Sequence, residues 1–491
     1  MEEMINGTRR PDVTIVKPKP LPEEETPRQE PEKKPKKGCL KRIFKFLLIL
    51  LLMAASAVGG GYAYYAYDKG LIDLPFLKHG TADEQYIADL TRKAENGDVA
   101  AMTELGRCYL NGERVEKNPV QAYTWCKAAA EKGNAEAMFN LSTCYAEGIG
   151  ITKNAAEAFK WCEKSANKNY VKAQSRLGDC YYEGLGTAQD YKKAVEWYTK
   201  AAQREDARAQ YGLGICYLNG QGTEKDESLA MAWFSRSSKQ GFGPASRNMG
   251  DIYVARSTSD SLKTDSAKLD SALYWYQMGS AQGDAFSQNY VGDWRYNKGE
   301  YAQAVELYKK AAAQGNHEAE FSLGYCFEKG HGVEKNVTEA LAHYRVAADH
   351  NHAKAFFNMG CVYEEQGKKE EAFKCYQKAA DLGNANAKNN LAYCYLDGVG
   401  TARNAERALA LFREAAAEGN DRALTNLGDC YLNGKGVPQD YKQALEWFLK
   451  AAEAGSSDAM NRIGDMYDHG QGVLRDVTQA AHWHNRANGI E

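Results

Sequence analysis

The chain has 491 residues, of which 44% are hydrophobic and 26% charged, an ordinary balance for a folded protein but a length beyond one compact core. The net charge of −3 excludes a global positive field that would recruit nucleic acid. The length therefore requires several globular domains, or a repeat array in which each unit packs on its neighbours.

Residues 1–45 carry twelve Lys or Arg against eight Asp or Glu, and seven of the 11 prolines fall before residue 36. Such a segment has too few large apolar side chains to offset its ordering entropy, so it reads as a disordered tail with polyproline II character. From Phe46 to Tyr67 no residue is charged. As a helix, this stretch of 22 residues would be roughly 33 Å long, enough to cross a bilayer core of about 30 Å. Tyr62, Tyr64, Tyr65 and Tyr67 stand at its end, where amphipathic rings favour the interface. Lys33, Lys34, Lys36, Lys37, Lys41, Arg42 and Lys45 precede it, and basic flanks stay cytoplasmic. The expectation is a single-pass membrane protein with a transmembrane helix over 46–67 and a cytoplasmic N-terminus. The later residues would then be extracytoplasmic, in a periplasm or equivalent lumen; the alternative keeps them in the cytoplasm. Residues 68–96 read as a linker and a capping helix.

From residue 97 the sequence repeats itself. GDVAAMTELGRCYLNG (97–112), GNAEAMFNLSTCYAEG (133–148), NYVKAQSRLGDCYYEG (169–184) and EDARAQYGLGICYLNG (205–220) share one frame, which recurs at 241, 283, 315, 351, 383, 419 and 455. The spacing is 36 residues, except 42 after 241 and 32 after 283 and 351, and these eleven starts define units 1 to 11. Each unit reads as two helices. In the first, a small residue such as Ala173, a Leu-Gly pair and an aromatic such as Tyr181 fall on one face. A Gly-x-Gly turn follows in most units, as at Gly220 and Gly222. The second helix carries Ala, two bulky residues and Ala again, as in Ala194, Trp197, Tyr198 and Ala201. Alternating bulk and alanine lets antiparallel helices pack closely.

This pattern resembles the Sel1-like repeat family, a relative of the tetratricopeptide repeat, over about 395 of the 491 residues. The resemblance implies an all-α, right-handed α-solenoid over 97–491. WRYNKGEYAQA in unit 6 and YEEQGKKEEA in unit 8 lack the Gly-x-Gly insertion and look like plain tetratricopeptide hairpins. Unit 5 carries a polar insertion over 256–271.

In related solenoids the first helices line a concave binding face. Carried over position by position, the residue after the Leu-Gly pair gives Arg107, Asp179, Asp251, Asp293, Tyr325, Tyr393, Asp429 and Asp465, and the residue two before the leucine gives Tyr211, Phe321 and Phe357. These make an acidic stripe with aromatics near its middle, a composition suited to holding a peptide or protein.

Seven of the 12 cysteines occupy one first-helix position that elsewhere holds Ile252, Trp294, Val362 or Met466, which marks a packing site. The competing reading is a disulfide within the hairpins of units 1 and 2, through Cys108 with Cys126 and Cys144 with Cys162. His350 with His352, and His482 with His484, are spaced so that side chains diverge on a helix, and no metal or other cofactor is expected. No nucleophile–base pair or phosphate-binding loop stands out, so the expected role is not catalytic. The leading expectation is a membrane-anchored scaffold for partner proteins or peptides, with no role for nucleic acid. The alternatives are a glycan-binding or enzyme-regulating envelope protein and, remotely, a hydrolase.

Overall fold

The computed structural model describes residues 82–258 and 266–490. The expected tail, the 46–67 span and linker residues 68–81 lie outside the described residues. Among the described residues there are 23 helices and no strand, and no helix is long and apolar enough to cross a membrane.

Each repeat folds as a helical hairpin for local reasons. In unit 4 the first helix, Ala207–Asn219, starts where the Asp206 carboxylate accepts the Ala209 N–H at 2.8 Å. It stops at Gly220, whose φ of +70° lets its N–H reach back to the Cys216 carbonyl. The second helix, Glu227–Lys239, starts where Asp226 accepts the Leu229 N–H at 2.8 Å. Unit after unit repeats this grammar with Asn, Asp or Ser at the N-cap, as at Asn134, Asn316 and Ser456.

The two helices meet through one recurring contact. The bulky residue of the second helix lies flat against the glycine of the first. A Cβ on Gly178 would fall 2.5 Å from the Tyr198 ring, one on Gly214 2.4 Å from Phe234, and one on Gly428 2.4 Å from Phe448. These rings are buried, and each contributes roughly 1.5–3 kcal/mol by leaving water. Successive units meet through the turn. A Cβ on Gly222 would lie 2.3 Å from the Tyr191 carbonyl oxygen, so the unit 4 turn rests on the start of the unit 3 second helix. Gly150 rests on Pro119 and Gly400 on Lys369 in the same way.

Ala82–Glu95 is a lone helix that buries Ile87, Leu90 and Ala94 against unit 1. Units 6 and 8 close their hairpins with one left-handed glycine each, Gly299 and Gly367. The unit 5 insertion is only partly a loop. It lengthens both helices, Gly243–Thr258 and Ser266–Ala281, to 16 residues, because continued helix satisfies backbone groups locally.

Gly214→Ala should therefore destabilise the protein by about 1–3 kcal/mol through overpacking against Phe234. Denaturant unfolding followed by circular dichroism measures it, and a wild-type midpoint would refute this account of the hairpin contact.

Candidate interaction face

The first-helix positions that the sequence singles out fall into three groups. In the first group, aspartates serve the packing contact itself. The Tyr198 hydroxyl donates to Asp179 Oδ1 at 2.9 Å, Tyr276 to Asp251 Oδ1 at 2.6 Å, and Tyr308 to Asp293 Oδ1 at 2.8 Å. A tyrosine laid on the glycine brings its hydroxyl into the hairpin, where it needs an acceptor. Asp179 is buried and also accepts from Arg208 Nε at 2.8 Å. Burial raises the carboxyls of Asp179, Asp251 and Asp429 above the usual range, and pushes Asp293 up to about 6 despite the Tyr308 bond.

In the second group, charged residues pair on the surface. Arg107 is bidentate on Glu104, with Nη2 to Oε1 at 2.6 Å, and also meets Glu113. Asp429 lies 3.2 Å from Arg462 Nε, and Asp465 lies 3.8 Å from His484 Nε2. Asp429 faces no tyrosine because its unit carries Phe448 at that place.

The third group is aromatic. Tyr211 sits between Phe234 and Phe242, with ring centroids 5.8 and 5.2 Å away. Phe321 stacks on His352 at 4.6 Å, and Tyr325 meets His331 edge-on at 6.5 Å. Phe357 is buried beside Tyr376, at 6.0 Å, whereas Tyr393 is 49% exposed.

Two acceptors escaped the sequence analysis. In units 7 and 8 the expected position holds Tyr325 and Cys361; the Tyr376 hydroxyl reaches Cys361 Sγ at 3.6 Å, and both buried hydroxyls find a carboxylate further along. Tyr344 donates to Glu328 at 2.7 Å and Tyr376 to Glu364 at 2.6 Å. Both acids stand one helical turn beyond the expected position, and the signal for them was the second-helix tyrosine that required an acceptor.

The eleven cysteines among the described residues are free thiols. Cys126 lies against Gly106 and beside Cys144 of the next unit. Cys162 is placed likewise beside Cys180, and its thiol donates to the Ala173 carbonyl at 3.4 Å. The neighbour of each second-helix cysteine is thus the following unit's first-helix cysteine. Cys108, expected beside Cys126, instead lies 4.0 Å from Glu104. The second helix of each unit nests between two first helices, and the sulfur at the glycine contact continues towards the next one. The neighbouring thiol of each and burial push the Cys126 and Cys162 thiols up. His352 is a helix cap: its Nδ1 accepts the Ala355 N–H at 3.0 Å and its Nε2 faces Glu318 at 3.1 Å. His350 stacks on His317 at 5.5 Å. Among the described residues no three His, Cys, Asp or Glu side chains converge as metal ligands.

Comparison with known proteins places this geometry. The Sel1 repeat pattern matches residues 99–134, 135–170, 171–206, 207–242, 247–284, 285–316, 317–352, 385–420, 421–456 and 457–488. A tetratricopeptide repeat pattern matches 354–382, which is unit 8, while unit 6, expected to look tetratricopeptide-like, matches as a Sel1 repeat. The solved structure of c5321, a protective antigen of uropathogenic Escherichia coli displaying an SLR fold, is 33% identical, with a TM-score of 0.63 over 82% of this chain and 86% of that one. An uncharacterized protein of Neisseria meningitidis serogroup B is 29% identical over 29% of this chain and 31% of its own. The DAP3-binding cell death enhancer 1 of Rattus norvegicus is 35% identical over 19% of this chain and 18% of its own. The chain thus spans under a third of the curated relatives it matches.

Two measurements check the site geometry. Asp293 holds its proton more tightly folded than unfolded, so its contribution to stability is full below about pH 4 and is lost as pH rises through about 6. Wild type should lose roughly 2 kcal/mol relative to Asp293→Asn between pH 4 and pH 7 in urea titrations. A constant difference would refute the assignment. In native-state labelling with a thiol reagent, Cys361 and Cys375 should react ahead of the nine buried cysteines, which should react only on unfolding. Early labelling of Cys126 or Cys162 would contradict the packing.

Proposed function

The chain belongs to the Sel1 repeat family, whose members generally act as protein-interaction scaffolds, and we propose that this one is a membrane-anchored scaffold that holds partner proteins or peptides on its first-helix face. The observation that carries the reading is the placement of aromatics on that face. The partly buried Phe321 and Tyr325 and the 49% exposed Tyr393 stand on first helices of units 7 and 9, and the acids Asp429 and Asp465 follow on the first helices of units 10 and 11. An exposed aromatic ring offers large contact area at low conformational cost, and carboxylates favour basic segments.

The uncharged stretch from Phe46 to Tyr67 supports an anchor, and the basic residues before it support a cytoplasmic tail with the repeats on the far side. Tethering would raise the effective concentration of the array for partners at the same membrane. The rat relative's description as DAP3-binding supports the protein class of partner. Hydrolase chemistry finds no support in the arrangement of side chains described above.

A photo-crosslinking residue at 393 in the full chain, expressed in its native membrane, should yield discrete partner adducts. The same residue at 229, an exposed position on a second helix, should not. Tyr393→Ala should reduce recovery of the same partner at least severalfold, since truncating an interface aromatic costs on the order of 1–2 kcal/mol. Equal adducts from both faces, or none from 393, would refute the proposed face.

A further inference from the structure

The second helices carry a feature that the first-helix face does not use. Seven of the 8 tryptophans occupy one position, just before the residue that lies on the glycine. They are Trp125, Trp161, Trp197, Trp233 and Trp275 in units 1 to 5, and Trp447 and Trp483 in units 10 and 11. Each is partly buried, and the indoles pack on the cores that successive units share: Trp161 on that of units 1 and 2, Trp447 on that of units 9 and 10 and Trp483 on that of units 10 and 11. Three residues later a cation covers the ring. Lys164 lies 4.1 Å from the Trp161 centroid, Lys200 3.9 Å from Trp197, Arg236 4.7 Å from Trp233, Lys450 4.4 Å from Trp447 and Arg486 5.2 Å from Trp483. This is a cation–π arrangement built into the repeat.

Unit 6 keeps the cation and lacks the ring. Its residue at the tryptophan position is Leu307, and Lys310 follows three residues later. Leu307 packs on the core that units 5 and 6 share, as the indoles do on theirs, but with a smaller side chain. Beside it an open surface pocket of about 690 Å³ lies between units 5 and 6, within the size range of ligand pockets. Gln277, Ser280 and Ala281 line it from unit 5, and Val291, Leu307 and Lys310 from unit 6. Glu306 also lines it but is held by Lys309 at 3.2 Å, and Arg295 is paired with Glu300.

We propose that this cavity is a binding niche for an aromatic side chain, tryptophan above all, presented by a partner peptide, with Lys310 covering the ring. The chain itself supplies the template: five times over, an indole at this place packs on the shared core beneath a cation at the same spacing. The electrostatic match is between the ammonium of Lys310 and the negative face of the ring. The polar rim of Gln277 and Ser280 can serve the peptide backbone on either side. The niche is built mainly from second-helix residues and stands or falls independently of the partner face proposed above.

The test uses the full chain with N-acetyl-tryptophanamide and N-acetyl-leucinamide as probes, read by saturation-transfer NMR. The tryptophan probe should receive transfer and the leucine probe should not. Leu307→Trp fills the niche with the residue unit 5 already carries, and should abolish the transfer. Leu411→Trp, the same position in unit 9, should leave it unchanged. Lys310→Met, at an exposed position, should weaken binding roughly threefold, and it keeps the proposal falsifiable if Leu307→Trp fails to fold. Absent transfer in wild type, equal transfer to both probes, or undiminished binding in the folded Leu307→Trp or Lys310→Met protein would overturn it.

Discussion

A ring laid on a glycine sets the spacing of this array. Where Tyr198 meets Gly178, or Phe234 meets Gly214, the two helices of a hairpin approach as closely as an aromatic thickness allows. A Cβ on either glycine would collide with the ring, while units 1 and 9 vary the pair: Gly106 faces Cys126, and Ala392 takes the glycine's place in the unit that carries Phe412. Unit 2 shows the compensation. Ser142 stands in the glycine's place, and the residue opposite is the small Cys162 rather than a ring. The alanines around the contact, such as Ala194 and Ala201, are fully buried because nothing larger fits once the helices are this close.

The polar chemistry of the first helices follows from that contact. A phenylalanine at the glycine asks nothing further of its surroundings, whereas a tyrosine delivers a hydroxyl that must be accepted. Asp179, Asp251 and Asp293 answer three of these hydroxyls, and Glu328 and Glu364 answer two more from one turn away. A stripe that looks like one acidic surface is therefore two populations. One is engaged in holding tyrosines; the other, Asp429 and Asp465, lies against Arg462 and His484 of the following helices instead.

The units are alike enough to stack and unlike enough to differ locally. Nearest-neighbour packing makes such arrays tolerant of variation inside one unit, because a change is felt mainly by the next. Unit 8 closes with a short turn at Gly367 and matches a tetratricopeptide pattern, and unit 6 closes the same way at Gly299 while matching the Sel1 pattern. The turn's second glycine matters where a preceding helix start lies beneath it, as Tyr191 lies beneath Gly222. In unit 1, which follows the helix Ala82–Glu95, Arg114 takes that place with φ of +63° and sits over Tyr86 at 4.3 Å.

Periodicity, small residues at fixed spacing and the Gly-x-Gly turns were enough, from the sequence alone, to determine the repeat, its hairpin helices and the family. Those signals are local, or recur at a set distance along the chain, and each unit restates them. What each side chain of the first helix does was decided only by the tertiary structure. Spacing could place Asp293 and Tyr393 at equivalent positions, yet one is bonded to Tyr308 and the other is half exposed. It could pair Cys108 with Cys126 by unit, yet packing sets Cys126 beside Cys144 of the next. The difference lies in the residue opposite, tyrosine or phenylalanine, ring or sulfur, and that partner is chosen by how two helices nest in three dimensions rather than by position along either one.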